Sequence, residues 1–241
     1  MPIIGPGITV GGGITIANTD LVTSGLLVFL DAANLTSYPG TGTTWYDVSG
    51  NSNNATLTNG PVFSLANMGY FSFDGINDYA PCSGSTTVTS ATFSVWIKRN
   101  GNQVNYTGIF FSRGGVSGNT TGLNFFSTSN TLGYHWNDDA LTYNFNSNLS
   151  PPDAAWCMAS VTVTSTVATF YLHQASGTTT ATNTTSHASS TIAGLNVAYD
   201  PAAALNRFYK GDMSICMLYN RALTSSELLQ NFNATRGRYG V

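Results

Sequence analysis

Paired carboxylates are the first side chains to consider, because two of them facing each other across a cleft can hydrolyse a glycosidic bond. The sequence contains a single glutamate, Glu227, which lies in a helix-start pattern near the end of the chain. Asp138 and Asp139 are sequence neighbours, and in an extended loop their side chains would point apart. The carboxylates therefore give no support to glycosidase chemistry.

Nucleophilic catalysis is equally unsupported. The sequence has no Gly-x-Ser-x-Gly turn, no phosphate-binding glycine loop and no dinucleotide-binding glycine pattern. The histidines, His135, His173 and His187, have no recognisable serine or cysteine partner motif, and His135 lies in a strand-like stretch that favours a packed ring. We therefore predict that the protein is not an enzyme.

Calcium is the cofactor for which the sequence offers the most donors, since it takes six to eight oxygen ligands. Asp and Asn are also preferred turn residues, however, and each cluster has only one or two carboxylates. We therefore favour turns over a metal and predict no resident cofactor. The two clusters are Asp74, Asn77 and Asp78, and Asp47, Asn51 and Asn53.

A glycan-binding surface would combine aromatic rings with neutral polar loops. Trp136 is the best candidate, since Asn137, Asp138 and Asp139 follow it and suggest a loop at the mouth of a site. Trp45 and Tyr46 form a second aromatic pair in a turn-rich segment. Other aromatic candidates, for which burial in the core is the competing interpretation, are Trp96, Tyr134 and Tyr143.

The amino-acid composition excludes some classes of binding partner. Charged residues are 8% of the 241 residues and the net charge is −3, so there is no basic patch to neutralise phosphates and no nucleic-acid partner is expected. The longest apolar run, residues 26–30, is too short to span a bilayer. The start of the chain shows no signal-peptide pattern, which predicts assembly in the cytoplasm.

Residues 1–22 differ in composition from the rest and are predicted to form an extended N-terminal arm. Their β-branched residues alternate with Thr and Gly around Gly11-Gly12-Gly13, and so short a segment has no core of its own. We expect it to dock on another protein, by strand addition or on a scaffold. The predicted docking residues are Ile3, Ile4, Ile8, Val10, Ile14 and Ile16.

Residues 23–241 are predicted to form one β-domain. Short strand-like runs are separated by Gly/Asn/Ser/Pro clusters, as in a sandwich or jelly roll. The stretch 183–200 has weak periodicity and is predicted to be a long surface excursion. One helix is expected over 224–235, where Thr224 and Glu227 form a capping box and Leu223 and Leu228 a hydrophobic staple.

Several sequence motifs, which follow one another in a fixed order along the chain, resemble those of a known family. They are FSFDGINDY at 71–79, ATFSVWIKR at 91–99, the hairpin from Trp156 to Leu172, and GDMSICMLYNRALTSSEL at 211–228. Together they resemble the laminin-G-like, concanavalin A-like domains. The resemblance implies an all-β fold of two antiparallel jelly-roll sheets with one short C-terminal helix. The turn at 173–177 is predicted to be longer than the tight turn usual in the family.

The arm combined with this jelly roll is similar to virion structural proteins of tailed phages. The resemblance implies a non-enzymatic protein displayed on the particle surface, with head decoration favoured and a tail or neck component as the alternative. The implied partners are other virion proteins, contacted through residues 1–22, and the protein would be multimeric on the particle. A carbohydrate-binding module for a host-surface glycan remains the other hypothesis.

Overall fold

The structure is a computed structural model that describes residues 20–114, 120–126, 130–202 and 206–241, and the backbone of two short strands before them. Its helices are α1 (Ala140–Tyr143) and α2 (Ser225–Thr235), with 3₁₀ turns at Ala66–Met68 and Arg236–Arg238. The strands are β1 (Thr9–Val10), β2 (Ile14–Thr15), β3 (Leu26–Asp31), β4 (Thr44–Trp45), β5 (Ala55–Thr56), β6 (Val62–Ser64), β7 (Tyr70–Asp74), β8 (Ala80–Pro81), β9 (Ser85–Val88), β10 (Ala91–Arg99), β11 (Gly108–Arg113), β12 (Thr120–Phe125), β13 (Leu132–His135), β14 (Trp156–Val163), β15 (Val167–Gln174), β16 (Gly177–Thr184), β17 (Ser190–Ala193), β18 (Leu195–Val197), β19 (Tyr199–Asp200), β20 (Arg207–Phe208) and β21 (Lys210–Tyr219).

Two antiparallel sheets make up the sandwich. The larger has eight strands in the order β16-β15-β14-β10-β21-β7-β6, and β3 pairs with the second half of β21. The smaller has five strands in the order β13-β12-β11-β18-β8. Short pairs, such as β9 with β17 and β19 with β20, complete the edges. The predicted antiparallel jelly-roll sandwich is confirmed.

Strand β10 shows how the sequence builds the core. Phe93, Val95 and Ile97 alternate along it and are buried between the two sheets. Trp96 points to the opposite face of the large sheet, where it is also buried. Because both faces of this central strand are covered, nearly every residue along it is apolar or buried.

Helix α2 covers that opposite face. The Thr224 side chain accepts a hydrogen bond from the Glu227 backbone N–H, and Glu227 reaches back to the Thr224 N–H, so the predicted capping box is confirmed. Leu223 and Leu228 are both buried in the cluster under the helix. Phe232 stacks on the Trp96 ring with centroids 5.4 Å apart, so the helix is fixed to the sheet. Among the described residues, no helix has the length and apolar character needed to cross a membrane.

The segment predicted as an arm is described in part. The strands Thr9–Val10 and Ile14–Thr15 pair antiparallel, with Val10 in register with Ile14. Residues 20–22 lie against helix α2, where the Val22 N–H donates to Asn231 Oδ1 at 2.8 Å and Val22 is buried. The other predicted docking residues, Ile3, Ile4, Ile8 and Ile16, lie outside the described residues.

Two local predictions are wrong. The stretch 183–200 is not a surface excursion, because it contains β17, β18 and β19, and Leu195 and Val197 of β18 are buried in the core. The turn at 173–177 is also not long. Gln174 pairs with Gly177, which takes a φ of 120°, so only two residues form the turn.

Candidate functional site

The candidate site lies on the outer face of the five-stranded sheet. Phe111 of β11 and His135 of β13 both sit opposite Gly122 of β12. Because Gly122 has no side chain, the two rings meet across it with centroids 5.0 Å apart. A Cβ at Gly122 would lie 2.5 Å from the Phe110 carbonyl oxygen. This glycine therefore lets an aromatic floor form on the sheet.

Two tyrosines form the walls above this floor. Tyr143 of helix α1 stacks on His135 with centroids 5.4 Å apart and planes 29° apart. Tyr106, in the loop before β11, meets the same histidine edge-on at 5.7 Å. Both tyrosines are partly exposed. Asp139 fixes α1 by accepting a hydrogen bond from the Leu141 N–H at 2.8 Å.

On the third side of the site, a buried carboxylate binds two arginines. Asp200 is fully buried and accepts from Arg113 Nε at 2.6 Å and Nη2 at 3.1 Å, and from Arg207 Nη1 at 2.6 Å. The Arg207 guanidinium also lies over the Tyr106 ring, 4.9 Å from its centroid. The paired strands β19 and β20 bring Asp200 and Arg207 together.

His135 and Asp138 form the remaining polar pair, with Nδ1 and Oδ1 3.3 Å apart. Burial lowers the pKa of His135 from its usual value, so the ring is neutral at pH 7. The hydrogen bond from His135 lowers the pKa of Asp138, and the charges of Arg113 and Arg207 act in the same direction. Asp138 is therefore an ionised carboxylate, and its side chain is 46% exposed.

The side chains of His135, Asp138, Tyr143 and Arg113 line an open cleft with two adjacent recesses that share Tyr106 and Arg207. The first recess has a volume of about 270 Å³ and contains His135, Asp138 and Tyr143. The second, of about 590 Å³, is bordered by Val104, Asn105 and Asn206. Rings, amides and charged groups thus surround a space the size of a small ligand.

The structure corrects the two predicted tryptophan platforms. Trp136 is 1% exposed and donates from Nε1 to the Ala188 carbonyl oxygen at 2.6 Å, and Trp45 is completely buried. Both rings pack in the core between the sheets, so neither can present a face to a sugar. Of the other predicted residues, Asp138 lines the cleft, Asp139 caps α1, and Tyr46 is 44% exposed but does not line the cleft.

The first calcium candidate has the contacts of a turn. Asp74 Oδ1 accepts hydrogen bonds from the backbone N–H groups of Ile76 and Asn77, at 2.8 and 3.2 Å. Asp78 Oδ2 in turn accepts from the Asp74 N–H at 3.2 Å. These carboxylate oxygens are used to hold the loop.

The second candidate likewise holds a loop. Asp47 accepts from the backbone N–H groups of Phe29, Ser49 and Asn53 at 2.8–2.9 Å. Asn51 donates to the Leu26 carbonyl oxygen at 3.0 Å. Within the described ranges, no group of three or more His, Cys, Asp or Glu side chains is arranged to hold a metal ion.

Most of the cleft residues were not among the sequence-predicted site residues. Tyr143 is one of several aromatic candidates in the sequence, and the sequence predicts a packed ring for His135. Tyr106, Arg113, Asp200 and Arg207 carry no motif. Arg113 and Asp200 are 87 positions apart and meet only through the fold, whereas Asp200 and Arg207 meet through the short neighbouring strands β19 and β20.

The solved structures of similar fold include a sialidase and an arabinanase domain. Trypanosoma rangeli sialidase in complex with 2,3-difluorosialic acid aligns at a TM-score of 0.63 and 14% identity, over 98% of this chain and 36% of the sialidase chain. Domain 4 of AbnA, a GH43 extracellular arabinanase from Geobacillus stearothermophilus in complex with arabinotriose, aligns at a TM-score of 0.59 and 15% identity. That alignment covers 87% of this chain and 98% of the domain. This chain thus spans about a third of the sialidase and nearly the whole arabinanase domain.

No curated protein sequence matches this chain. A family model described as the concanavalin A-like lectin/glucanases superfamily, Laminin_G_3, matches residues 74–229. The matched segment runs from the end of β7 into helix α2 and includes the described residues of the cleft. The chain belongs to the concanavalin A-like lectin/glucanases superfamily.

Proposed function

We propose that this protein is a non-enzymatic glycan-binding β-sandwich whose binding site is the cleft on the five-stranded sheet. The observation that carries the proposal is the pair of partly exposed rings, Tyr106 and Tyr143, placed on either side of His135. Aromatic faces bind the apolar faces of sugar rings, and the surrounding polar groups can bind sugar hydroxyls. The arabinotriose bound to the similar arabinanase domain supports a sugar ligand.

The carboxylates in the cleft support binding without hydrolysis. Glycoside hydrolysis commonly uses two carboxyl groups on opposite sides of the scissile bond. Asp200 is fully buried and held by two arginines, which leaves Asp138 as the one exposed carboxylate among the described residues that line the cleft. Glu227 lies on the far side of the sandwich, where it pairs with Arg221 at 2.6 Å.

A glycan array probed with the purified chain tests this proposal. We expect Tyr106→Ala and Tyr143→Ala each to weaken binding of the best glycan at least about tenfold, the effect of losing one aromatic contact. Tyr46→Ala is the matched control, because Tyr46 is exposed outside the cleft. Loss of binding in Tyr46→Ala alone would place the site elsewhere, and release of reducing sugar from the bound glycan would contradict the non-enzymatic role.

A second part of the proposal concerns where the protein works. We propose that it is displayed on the surface of a tailed-phage particle, most consistently as a head decoration protein assembled in the host cytoplasm. Residues 20–22 are fixed to α2 on the outer face of the large sheet, whereas the cleft lies on the outer face of the small sheet. Attachment through the N-terminal segment to other virion proteins would therefore leave the cleft facing outwards.

Particles purified from a lysate test this second part. We expect the protein to be recovered with the particles in multiple copies, and imaging to show it on the head. Deleting residues 1–19 should prevent incorporation while leaving glycan binding unchanged, because residues 20–22 and the cleft are kept. Density on the tail or neck would support the alternative location, and absence from particles would refute the virion role.

A further inference from the structure

We infer that the glycan bound in the cleft carries an acidic group, a carboxylate or a sulfate, and that Arg207 binds that group. The inference rests on the proposed glycan-binding function and specifies its ligand class. It follows from how the two arginines of the cleft share one carboxylate.

The two arginines of the cleft hydrogen-bond to the same carboxylate, Asp200, while the second carboxylate, Asp138, hydrogen-bonds to His135. Asp200 is the acceptor for both Arg113 and Arg207, so two guanidinium groups share a single buried negative charge. Arg113 uses two of its nitrogens on Asp200. Arg207 uses only Nη1. A guanidinium has five N–H donors, and no other acceptor among the described residues receives one from Arg207.

Arg207 is held in a position to use those donors. Asp200 fixes one end of the guanidinium, and the Tyr106 ring lies 4.9 Å from its central carbon. A guanidinium ordered in this way loses less conformational entropy when it binds an anion. It also borders the larger recess, in which the other lining residues are Val104, Asn105, Tyr106 and Asn206. None of the described residues that line this recess is a carboxylate.

The other recess, which Arg113 and Arg207 also border, contains a carboxylate. Asp138 is ionised and exposed there, next to the neutral His135. It would repel an anion and accept hydrogen bonds from sugar hydroxyls. The ligand is therefore oriented, with its acidic group in the recess at Arg207 and neutral hydroxyls at Asp138. An anion accepts paired hydrogen bonds from a guanidinium, which a neutral hydroxymethyl group cannot do.

The experiment compares acidic glycans with their neutral parents by calorimetric titration of the whole chain. The probes are sialyllactose and 3-sulfolactose against lactose, and trigalacturonic acid against galactotriose. We expect at least one acidic member to bind about tenfold more tightly than its parent, with the advantage falling as salt is raised. The carboxylated and sulfated probes show which acidic group is preferred.

Arg207→Gln should reduce the ratio of the affinity for the acidic glycan to the affinity for its neutral parent to about one. Asp138→Asn removes the opposing negative charge and should increase this ratio. If Arg207→Gln does not fold, Asp138→Asn decides, since an unchanged or smaller ratio there contradicts the inference. Equal binding of acidic and neutral partners by the unmodified chain would refute the inference and leave the glycan-binding proposal intact. Binding of no glycan at all on the array would refute the proposal itself.

Discussion

Replacing Asp200 with Asn should destabilise the fold more than any other single change of charge in the cleft. The Asp200 side chain is 0% exposed, and its partners Arg113 and Arg207 are only 26% and 15% exposed. Removing one member of a buried ion pair costs about 3–5 kcal/mol, because the remaining charge is left without compensation. Since both arginines retain a path to solvent, we expect the lower end, about 3 kcal/mol.

Urea unfolding at pH 7, followed by tryptophan fluorescence, measures this cost. The matched control is Asp153→Asn, because the Asp153 side chain is 55% exposed and lies 3.5 Å from Arg99. Exposed pairs contribute about 0–1 kcal/mol, so the control should change stability by no more than that. If the two variants lose the same free energy of unfolding, Asp200 does not hold the cleft together and the charge argument fails.

Three further predictions concern the sheets. His173 is 1% exposed and burial lowers its pKa to about 4, so stability should fall as the pH drops from about 6.5 to 4, by about 2–3 kcal/mol. His173→Phe should remove that part of the fall in urea unfolding, and an unchanged pH slope would contradict it. Trp96 stacks under α2 and donates a hydrogen bond to Thr235 Oγ1 at 2.8 Å. Trp96→Leu should therefore lower the free energy of unfolding by about 3 kcal/mol in urea unfolding, and a loss below about 1 kcal/mol would contradict this account of the packing. Gly122→Ala should cost about 2 kcal/mol and weaken glycan binding, because its Cβ would meet the Phe110 carbonyl oxygen; normal binding and stability would show that the floor tolerates the side chain.

The sequence predicted the parts of the fold whose signals are local. The capping box at Thr224 and Glu227 and the alternation along β10 are set by neighbouring residues, and both are confirmed. The prediction of a surface excursion over 183–200 is wrong because β17, β18 and β19 are only two to four residues long. Strands so short show almost no period, and their burial depends on pairing with β9, β11 and β20.

Most of the cleft could not be predicted from the sequence, because its residues are also brought together by strand pairing that leaves no local pattern. Asp138 could be identified as a candidate from its loop context, but its partner His135 looked like an ordinary strand residue. The contact between Arg113 and Asp200 joins residues 87 positions apart. The prediction that Trp136 binds a glycan is wrong because a tryptophan followed by polar residues is compatible both with a loop at the mouth of a site and with the end of a buried strand. Only the packing of the sheets decides between them.

A crystal structure of the chain with the best glycan from the array tests the central claim most directly. The account predicts a sugar ring in the cleft between Tyr106 and Tyr143, with its acidic group within hydrogen-bond distance of Arg207. A glycan bound at Tyr46, or anywhere that leaves the cleft empty, would contradict the account.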